Sequence, residues 1–117
     1  MKYNYDSLKF LNHGEDVNAK VAFERKELAL IMRIYGRMVS LGEWRDYSIS
    51  MLKSYSVFSI YVHTSQHPIY MIKKTAKKLN KPESFSIILM DGKILKIGYD
   101  LATVLKALET KLIRLVK

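Results

Sequence analysis

The sequence has no cysteine, a single tryptophan and only two prolines among its 117 residues. The absence of cysteine excludes disulfides, a thiolate nucleophile and metal sites with thiolate ligands. No apolar run approaches the roughly 18 residues needed to cross a membrane. The opening residues, 1–6, are not followed by the apolar stretch of a signal peptide. The sequence therefore predicts a cytoplasmic protein with no membrane partner.

Acidic side chains are also scarce, with 11 Asp and Glu against 20 Lys and Arg, which gives a net charge of +9. The excess is concentrated in residues 48–117, which hold most of the lysines and few carboxylates. A basic region of this kind favours a nucleic acid or another anionic partner. A lysine-rich and isoleucine-rich composition also arises from an AT-rich genome, so charge alone leaves both explanations open.

Motifs of known catalytic chemistry are missing from the sequence. It has no P-loop, no glycine-rich dinucleotide turn, no serine nucleophile elbow and no paired-histidine zinc motif. His63 and His67 are four residues apart, but the turn residue Pro68 follows them, and on a turn that spacing does not bring two imidazoles to one metal. We therefore expect a protein that is not an enzyme, with no catalytic residue, no cofactor and no metal ligand.

Two segments have the apolar spacing of amphipathic helices. The first extends over 25–41, with a weak capping-box spacing at Glu24 and Glu27 and with Gly42 at the position that ends a helix. The second begins after Asp100, a good N-cap residue. Its continuation over 111–117 is predicted as either helix or strand, because apolar residues there satisfy both periods.

Between the helices the apolar period changes to two, which predicts strands. Asp91-Gly92 lies between two apolar runs and predicts a two-residue type I′ hairpin turn that places Leu89 opposite Ile94. A further short strand is predicted over 17–23. The fold class is therefore α+β, a single domain over 17–117 in which an antiparallel β-meander of four to six strands packs against two main helices. Residues 1–16 are predicted to be a poorly ordered or peripheral N-terminal arm.

The segment from Tyr35 to Tyr47 joins the first helix to the sheet and contains the only tryptophan, Trp44. Its simplest interpretation is a helix-to-strand corner in which Trp44 closes the edge of the core. Arg37 and Arg45 are the residues that give it a second interpretation, a small anion-binding site, because arginine suits bidentate contact with carboxylate or phosphate.

A group of five lysines within nine residues, with no acid among them, is the second candidate site. Aromatic residues flank it, so it has the composition of a surface that binds single-stranded nucleic acid, in which bases stack on aromatic rings and lysines meet phosphates. It is equally typical of a solvated connection. These candidate nucleic-acid-binding residues are Lys73, Lys74, Lys77, Lys78 and Lys81.

Apolar residues also occupy both faces of one predicted strand, 55–62. Two helices on one face of the sheet would leave the other face partly bare, and a bare apolar face marks an interface. We therefore expect a non-enzymatic binding or regulatory module that acts through protein–protein contacts, most simply a homodimer with two-fold symmetry. A nucleic-acid-binding protein and a small anion-binding domain are the alternatives.

A series of short motifs runs through the chain: Val21–Phe23, Arg25, Glu27, Leu28, Tyr35–Val39, Gly42–Tyr47, Val57–Ser59, Tyr70, Ile72, Lys74, Gly92, Ile94–Lys96, Gly98, Asp100, Leu101 and Val104–Lys106. Together these motifs resemble an alphaproteobacterial family of domains of unknown function. The resemblance covers residues 21–113 and implies a small cytoplasmic bacterial protein, but it implies no activity and no catalytic residue. The sequence departs from the family pattern near Ile97 and Tyr99, where the family has a basic residue and a histidine.

Overall fold

The computed structural model of the chain describes residues 20–63 and 67–116, with side chains described as far as Arg114. The predicted arm, 1–16, lies outside these residues. In the described part of the chain, five strands follow a first helix and precede a second. The elements are α1 (Arg25–Ser40), β1 (Asp46–Met51), β2 (Tyr55–Tyr61), β3 (Tyr70–Thr75), β4 (Ser84–Leu89), β5 (Ile94–Gly98) and α2 (Leu101–Val116).

The strands form one sheet in chain order, and each pairs antiparallel with the next. This meander with two helices confirms the predicted α+β fold. The strand predicted over 17–23 is wrong for its described part, because residues 20–23 form no strand. Instead the Val21 N–H donates one hydrogen bond, of 2.8 Å, to the carbonyl oxygen of Leu52 just beyond β1.

Helix α1 begins and ends as its sequence predicts. The Glu24 side chain accepts from the backbone N–H of Glu27, and the Glu27 carboxylate accepts from the Glu24 N–H at 2.7 Å, which completes the capping box. Gly42 follows the helix with φ +78°, the left-handed conformation that glycine adopts at little cost. The backbone N–H groups of Glu43 and Trp44 both turn back to the carbonyl oxygen of Met38, which directs the chain into β1.

Helix α2 begins at an exposed cap. The Asp100 carboxylate accepts hydrogen bonds from the Thr103 backbone N–H at 3.1 Å and the Thr103 hydroxyl at 2.7 Å. The helix continues to Val116, which resolves the two alternatives for the chain end in favour of helix.

The β4–β5 hairpin differs from the predicted type I′ turn. A type I′ turn needs positive φ at both central residues, but only Gly92 has one, at +90°. The Gly92 N–H donates to the Leu89 carbonyl oxygen, and the Leu89 N–H donates to that of Lys93. Three loop residues therefore separate the strands, as in a type I turn followed by a left-handed glycine.

This turn shifts the predicted register by one residue, and a shift of one exchanges the two faces of a strand. Ile94 pairs with Ile88 rather than with Leu89. An irregularity between Ile87 and Ile88 then leaves Leu95 as the extra residue, and Leu95 packs partly buried against the core. Ile94 and Ile97 are left 58% and 60% exposed.

Both helices cover the same face of the sheet, and the core lies between them and that face. Buried residues recur at helical spacing in α1 and α2, and at alternate positions in β2 and β3. We call this side of the sheet the covered face. The core residues are Phe23, Ile31, Ile34, Met38, Trp44, Ile49, Phe58, Ile60, Tyr70, Ile72, Phe85, Ile87, Leu101, Val104, Leu105, Leu108 and Leu112.

Candidate functional site

The opposite side of the sheet carries no described helix, and we call it the uncovered face. The strand register places a strip of half-buried and exposed apolar side chains across it, with serines between them. An antiparallel sheet face that meets only water normally alternates to polar residues. The apolar members of this strip are Val57, Met71, Ile88, Ile94 and Ile97.

Lys73 lies within this face. Its ammonium lies 4.5 Å from the centroid of the Tyr55 ring, which is a cation–π distance. The alkyl chain of Lys73 is half-buried among its strand neighbours, while its charge stays at the surface. This lysine therefore adds positive charge to the uncovered face without an ion-pair partner among the described residues.

Lys74, the next residue, lies on the covered face and is only 4% exposed. Its ammonium donates to the Glu27 carboxylate at 2.8 Å and to the Ala22 carbonyl oxygen at 3.0 Å, and it lies 3.7 Å from the Glu83 carboxylate. Glu27 is itself 6% exposed. Lys74 therefore anchors the start of α1 to β3, and its buried charge is not at the surface with the other predicted nucleic-acid-binding lysines.

The three remaining lysines of the group lie in the β3–β4 connection and are exposed. Lys78 and Lys81 form a small β-bridge, in which each backbone N–H donates to the other residue's carbonyl oxygen, at 2.8 and 3.1 Å. Residues paired in this way project their side chains to the same side. Lys77 precedes the bridge, and Leu79 at its tip is 99% exposed.

The Lys78–Lys81 bridge borders a groove of about 350 Å³ at the end of the uncovered face where β4 begins. Strand residues with hydroxyl groups line one side, and the β5 end with Gly98 and Tyr99 lines the other. Tyr99 is 65% exposed. We call this the basic groove; its lining residues are Thr75, Ala76, Lys78, Lys81, Pro82, Ser84, Ile97, Gly98 and Tyr99.

The helix-to-strand corner is built on aromatic packing. Trp44 is 5% exposed, and its ring centroid lies 6.1 Å from that of Tyr35 and 5.9 Å from that of Tyr70. The Tyr47 ring stacks on Phe58 at 4.8 Å. Trp44 therefore closes the core edge as predicted. In a regular strand, Trp44 and Tyr47 would project to opposite faces. Both pack toward the core here, because β1 begins only at Asp46 and Trp44 lies before it.

Tyr35 connects this aromatic cluster to the backbone. Its hydroxyl donates to the Arg45 carbonyl oxygen at 3.2 Å. Burial, and after it the charge of Asp46, raises the pKa of Tyr35 above the ordinary tyrosine value. A tyrosine hydroxyl is protonated at neutral pH even without this shift, and the higher pKa extends the pH range of the hydrogen bond further into alkaline conditions.

The two arginines proposed for an anion site have different surroundings. The Arg37 guanidinium donates to the Glu109 carboxylate of α2 at 3.3 Å, and the pair is partly exposed. Arg37 also lines a shallow cleft of about 60 Å³ between the helices, and Arg45 is not among the residues of that cleft. Arg45 is exposed at the start of β1. An anion bound at Arg37 would therefore have to compete with Glu109, and the two-arginine site stays a prediction.

Histidine and carboxylate positions suggest no metal centre in the part of the chain that the structure describes. Within 20–63 and 67–116, no group of three or more His, Asp or Glu side chains is placed to hold a metal ion. Within the same ranges, no helix is long and apolar enough to cross a membrane.

Sequence reasoning did not identify Tyr99, Ile94 and Ile97 as surface residues. Tyr99 was predicted only to break the strand before α2. The predicted register places Ile94 opposite Leu89, on the face of β4 that packs against the core, and it places Ile97 opposite Ser86 on the other face. The available signal was Gly92, since a three-residue loop that ends in glycine is the common alternative to a type I′ turn. That choice of loop moves Ile94 to the uncovered face.

The chain is a small α+β domain in which the helices cover one face of the sheet, while no described helix covers the other face. A family model described as "Protein of unknown function (DUF2794)" matches residues 21–105, and the chain belongs to that family. Comparison with curated proteins gave no match, and comparison with solved structures gave none either.

Proposed function

We propose that this chain is a non-enzymatic, cytoplasmic bacterial binding or regulatory module that acts through protein–protein contacts. The uncovered face is its contact surface, and a second copy of the chain is its first partner. The observation that carries the proposal is the apolar strip on the side of the sheet that no described helix covers.

The strip favours a protein partner because of its composition. Apolar side chains continue across three neighbouring strands, β3 to β5, and Lys73 is the one charged residue among the paired positions that face the same way in β3 and β4. Apolar surface that is contiguous rather than scattered is costly to leave in water and typically marks an interface. A two-fold homodimer buries such a strip against itself without needing a second gene product.

Charge along the face supports the choice of a second copy. The lysine-rich β3–β4 connection lies at the end of the sheet where β4 begins. Asp46 and the hairpin residue Asp91 lie at the other end, where β1 begins and β4 ends. A two-fold axis that lies in the interface plane, perpendicular to the strands, places the basic end of one copy over the other end of its partner. Arg45 and Lys93 offset the two carboxylates there, so this arrangement avoids stacking two lysine-rich ends rather than forming a strongly complementary pair.

Light scattering coupled to size-exclusion chromatography tests the dimer. We expect the wild-type chain to elute at twice its 13.6 kDa mass at high micromolar concentration. Ile94→Asp places a charge in the strip at a residue that is 58% exposed, so the monomer should fold and the dimer should dissociate. Ile113→Asp is the matched control, because Ile113 is 53% exposed but lies on α2, on the other side of the sheet.

The two variants separate the competing surfaces. Loss of the dimer in Ile94→Asp with retention in Ile113→Asp supports the uncovered face. The reverse result moves the interface to the helices and contradicts the proposal, as does a wild-type chain that stays monomeric at every concentration and captures no protein partner.

A further inference from the structure

The basic groove has features that the protein-contact function does not use. It lies at one end of the uncovered face, and lysine, hydroxyl and aromatic side chains surround a space of about 350 Å³. Apolar contact between two proteins requires none of these polar groups. The groove is large enough to take a nucleotide-sized group but is open at the surface.

Lys78 and Lys81 are the most informative residues in it. They are directly opposite each other in the bridge, and like charges at directly opposed positions destabilise a β-pair. No carboxylate forms an ion pair with either lysine in the described part of the chain. Lys74, by contrast, has two carboxylates within 4 Å. An anion in the groove would relieve the repulsion that the fold leaves in place.

The opposite wall of the groove is suited to a planar group. Tyr99 is 65% exposed, so its ring is open to a stacking partner. Gly98 precedes it and lines the groove with its backbone, because a Cβ at this residue would point into the core and meet Val104 at 3.2 Å. Thr75 and Ser84 are paired across β3 and β4 and bring hydroxyl groups to the same space. Hydroxyl groups hydrogen-bond phosphate and sugar oxygens.

We propose that the basic groove binds single-stranded nucleic acid, with the backbone phosphates at Lys78 and Lys81 and one base stacked on Tyr99. Lys73 and Tyr55 continue the same combination of charge and aromatic ring along the uncovered face. Alternation of lysine with aromatic side chains is how proteins bind single strands without reading their sequence. The groove shares Ile97 with the apolar strip, so the strand-binding site and the proposed homodimer contact adjoin at this end of the face.

Fluorescence anisotropy with an end-labelled, mixed-sequence single-stranded oligonucleotide tests the proposal. Lys78→Gln with Lys81→Gln removes the paired charges, and Arg33→Gln with Lys106→Gln removes two exposed charges from the helices as a matched control. For two lost phosphate contacts, the slope of log affinity against log salt should fall in magnitude by about 1.4 in the groove variant. It should change little in the control variant.

Tyr99→Ser tests the stacking contact separately. Loss of one stacked base should weaken binding by about five-fold to a hundred-fold, with the salt slope unchanged. An unlabelled oligonucleotide should displace the probe, and a mononucleotide at the same phosphate concentration should not, which distinguishes a bound strand from a bound phosphate.

Three results would overturn the proposal. The first is equal loss of affinity in the groove and helix-control variants, which indicates attraction by overall charge. The second is binding that Tyr99→Ser leaves unchanged. The third is binding to vesicles of phosphatidylcholine and phosphatidylserine with none to the oligonucleotide, a result that would assign the lysines and the exposed Leu79 to a membrane surface. Circular dichroism melting of each variant confirms that the exposed substitutions leave the fold intact.

Discussion

Lys73 and Lys74 are neighbours in the chain and have opposite roles in the structure. Lys73 projects from the uncovered face and places its charge over the Tyr55 ring. Lys74 projects into the covered face, where the Glu27 carboxylate and a backbone carbonyl oxygen hold its ammonium almost out of contact with water. The same side chain is a surface charge at one residue and a structural anchor at the next.

The difference comes from strand alternation combined with one-sided helix packing. Successive side chains of β3 point to opposite faces, and only one face has helices. A charged side chain that the helices bury needs a partner of opposite charge, because leaving it unpaired lowers the stability of the fold by roughly 3–5 kcal/mol. Glu27 supplies that charge from the first turn of α1, so the capping box and the buried ion pair share one carboxylate.

The largest effect should come from the buried member of this lysine pair. Lys74→Met leaves the Glu27 carboxylate buried without its cation, and we expect a loss of about 3–5 kcal/mol in the free energy of unfolding. Lys73→Met removes a cation–π contact at a half-buried surface and should cost about 1 kcal/mol or less. Denaturant unfolding of both variants measures the difference.

A double variant checks the physical reason. Combining Lys74→Met with Glu27→Gln removes both charges, so part of the lost stability should return relative to Lys74→Met alone. Equal stability losses in Lys73→Met and Lys74→Met would contradict the contrast between the two faces.

Adjacent isoleucines in β4 extend the comparison to apolar packing. Ile87 is fully buried on the covered face, so Ile87→Ala should cost about 2–5 kcal/mol. Ile88 is half-buried on the uncovered face, so Ile88→Ala in the monomer should cost about 1 kcal/mol. Thermal or denaturant unfolding at low protein concentration avoids a contribution from dimerisation. Equal losses of stability in Ile88→Ala and Ile87→Ala would contradict this contrast, because they would mean that Ile88 is as deeply buried in the monomer as Ile87.

Two glycines in or next to α1 should show smaller effects of opposite sign when each is replaced by alanine. Gly36 is exposed inside the helix, and a Cβ there would meet no atom within 4 Å in the part of the chain that the structure describes. The Gly36→Ala variant should therefore gain about 1 kcal/mol of stability. Gly42→Ala should lose about 1–2 kcal/mol, because φ at Gly42 is +78°. If Gly36→Ala destabilises the protein, another surface packs against this side of α1.

The smallest effect concerns an exposed carboxylate, the counterpart of the buried Glu27. The side-chain hydrogen bond from Thr103, followed by the backbone one, lowers the pKa of Asp100 from its ordinary value of 3.8. Because the pKa is lower in the folded state, this stabilisation is present above the unfolded pKa and is lost as the pH falls through the folded pKa.

Asp100→Asn keeps a capping oxygen but removes the titration. Its stability should therefore depend less on pH in the acid range than that of the wild type. The urea midpoint of both proteins, followed from neutral to acid pH, measures this. Parallel pH profiles for the two proteins would contradict a role for the Asp100 charge.

Much of the fold could be predicted from local pattern. The first helix, its capping box, its end at Gly42, the Asp100 cap and the antiparallel meander all follow from residues close to one another in the chain. Trp44 as the seal of the core edge was also predictable. Glycine inside a helix often marks close packing against another backbone, but at Gly36 no atom of the described residues lies against that side of the helix.

The candidate site was predictable only in composition. The lysine group 73–81 was visible in the sequence, but its division into a buried anchor, a cation–π residue and an opposed pair was not. The exposure of Ile94 follows from a turn register that differs by one residue from the predicted one, whereas Ile97 pairs with Ser86 as the predicted register also requires. The basic groove forms only where the β3–β4 connection meets the end of β5, and these segments are distant in the chain.

The sequence by itself determined the elements, their order and the excess of positive charge, because propensity, capping and period act over a few residues. Only the tertiary structure decided that both helices pack on the same face of the sheet. The strands place large apolar residues such as Ile49, Phe58 and Ile72 on that face, while serines interrupt the other. Burial of Lys74 opposite Glu27 and exposure of Lys73 follow from that packing, while exposure of Ile94 follows from the register of the β4–β5 hairpin. The physical reason is that the two helices bury only one face of the sheet. Whether a strand side chain is buried or exposed therefore depends on the face to which its position in the strand directs it.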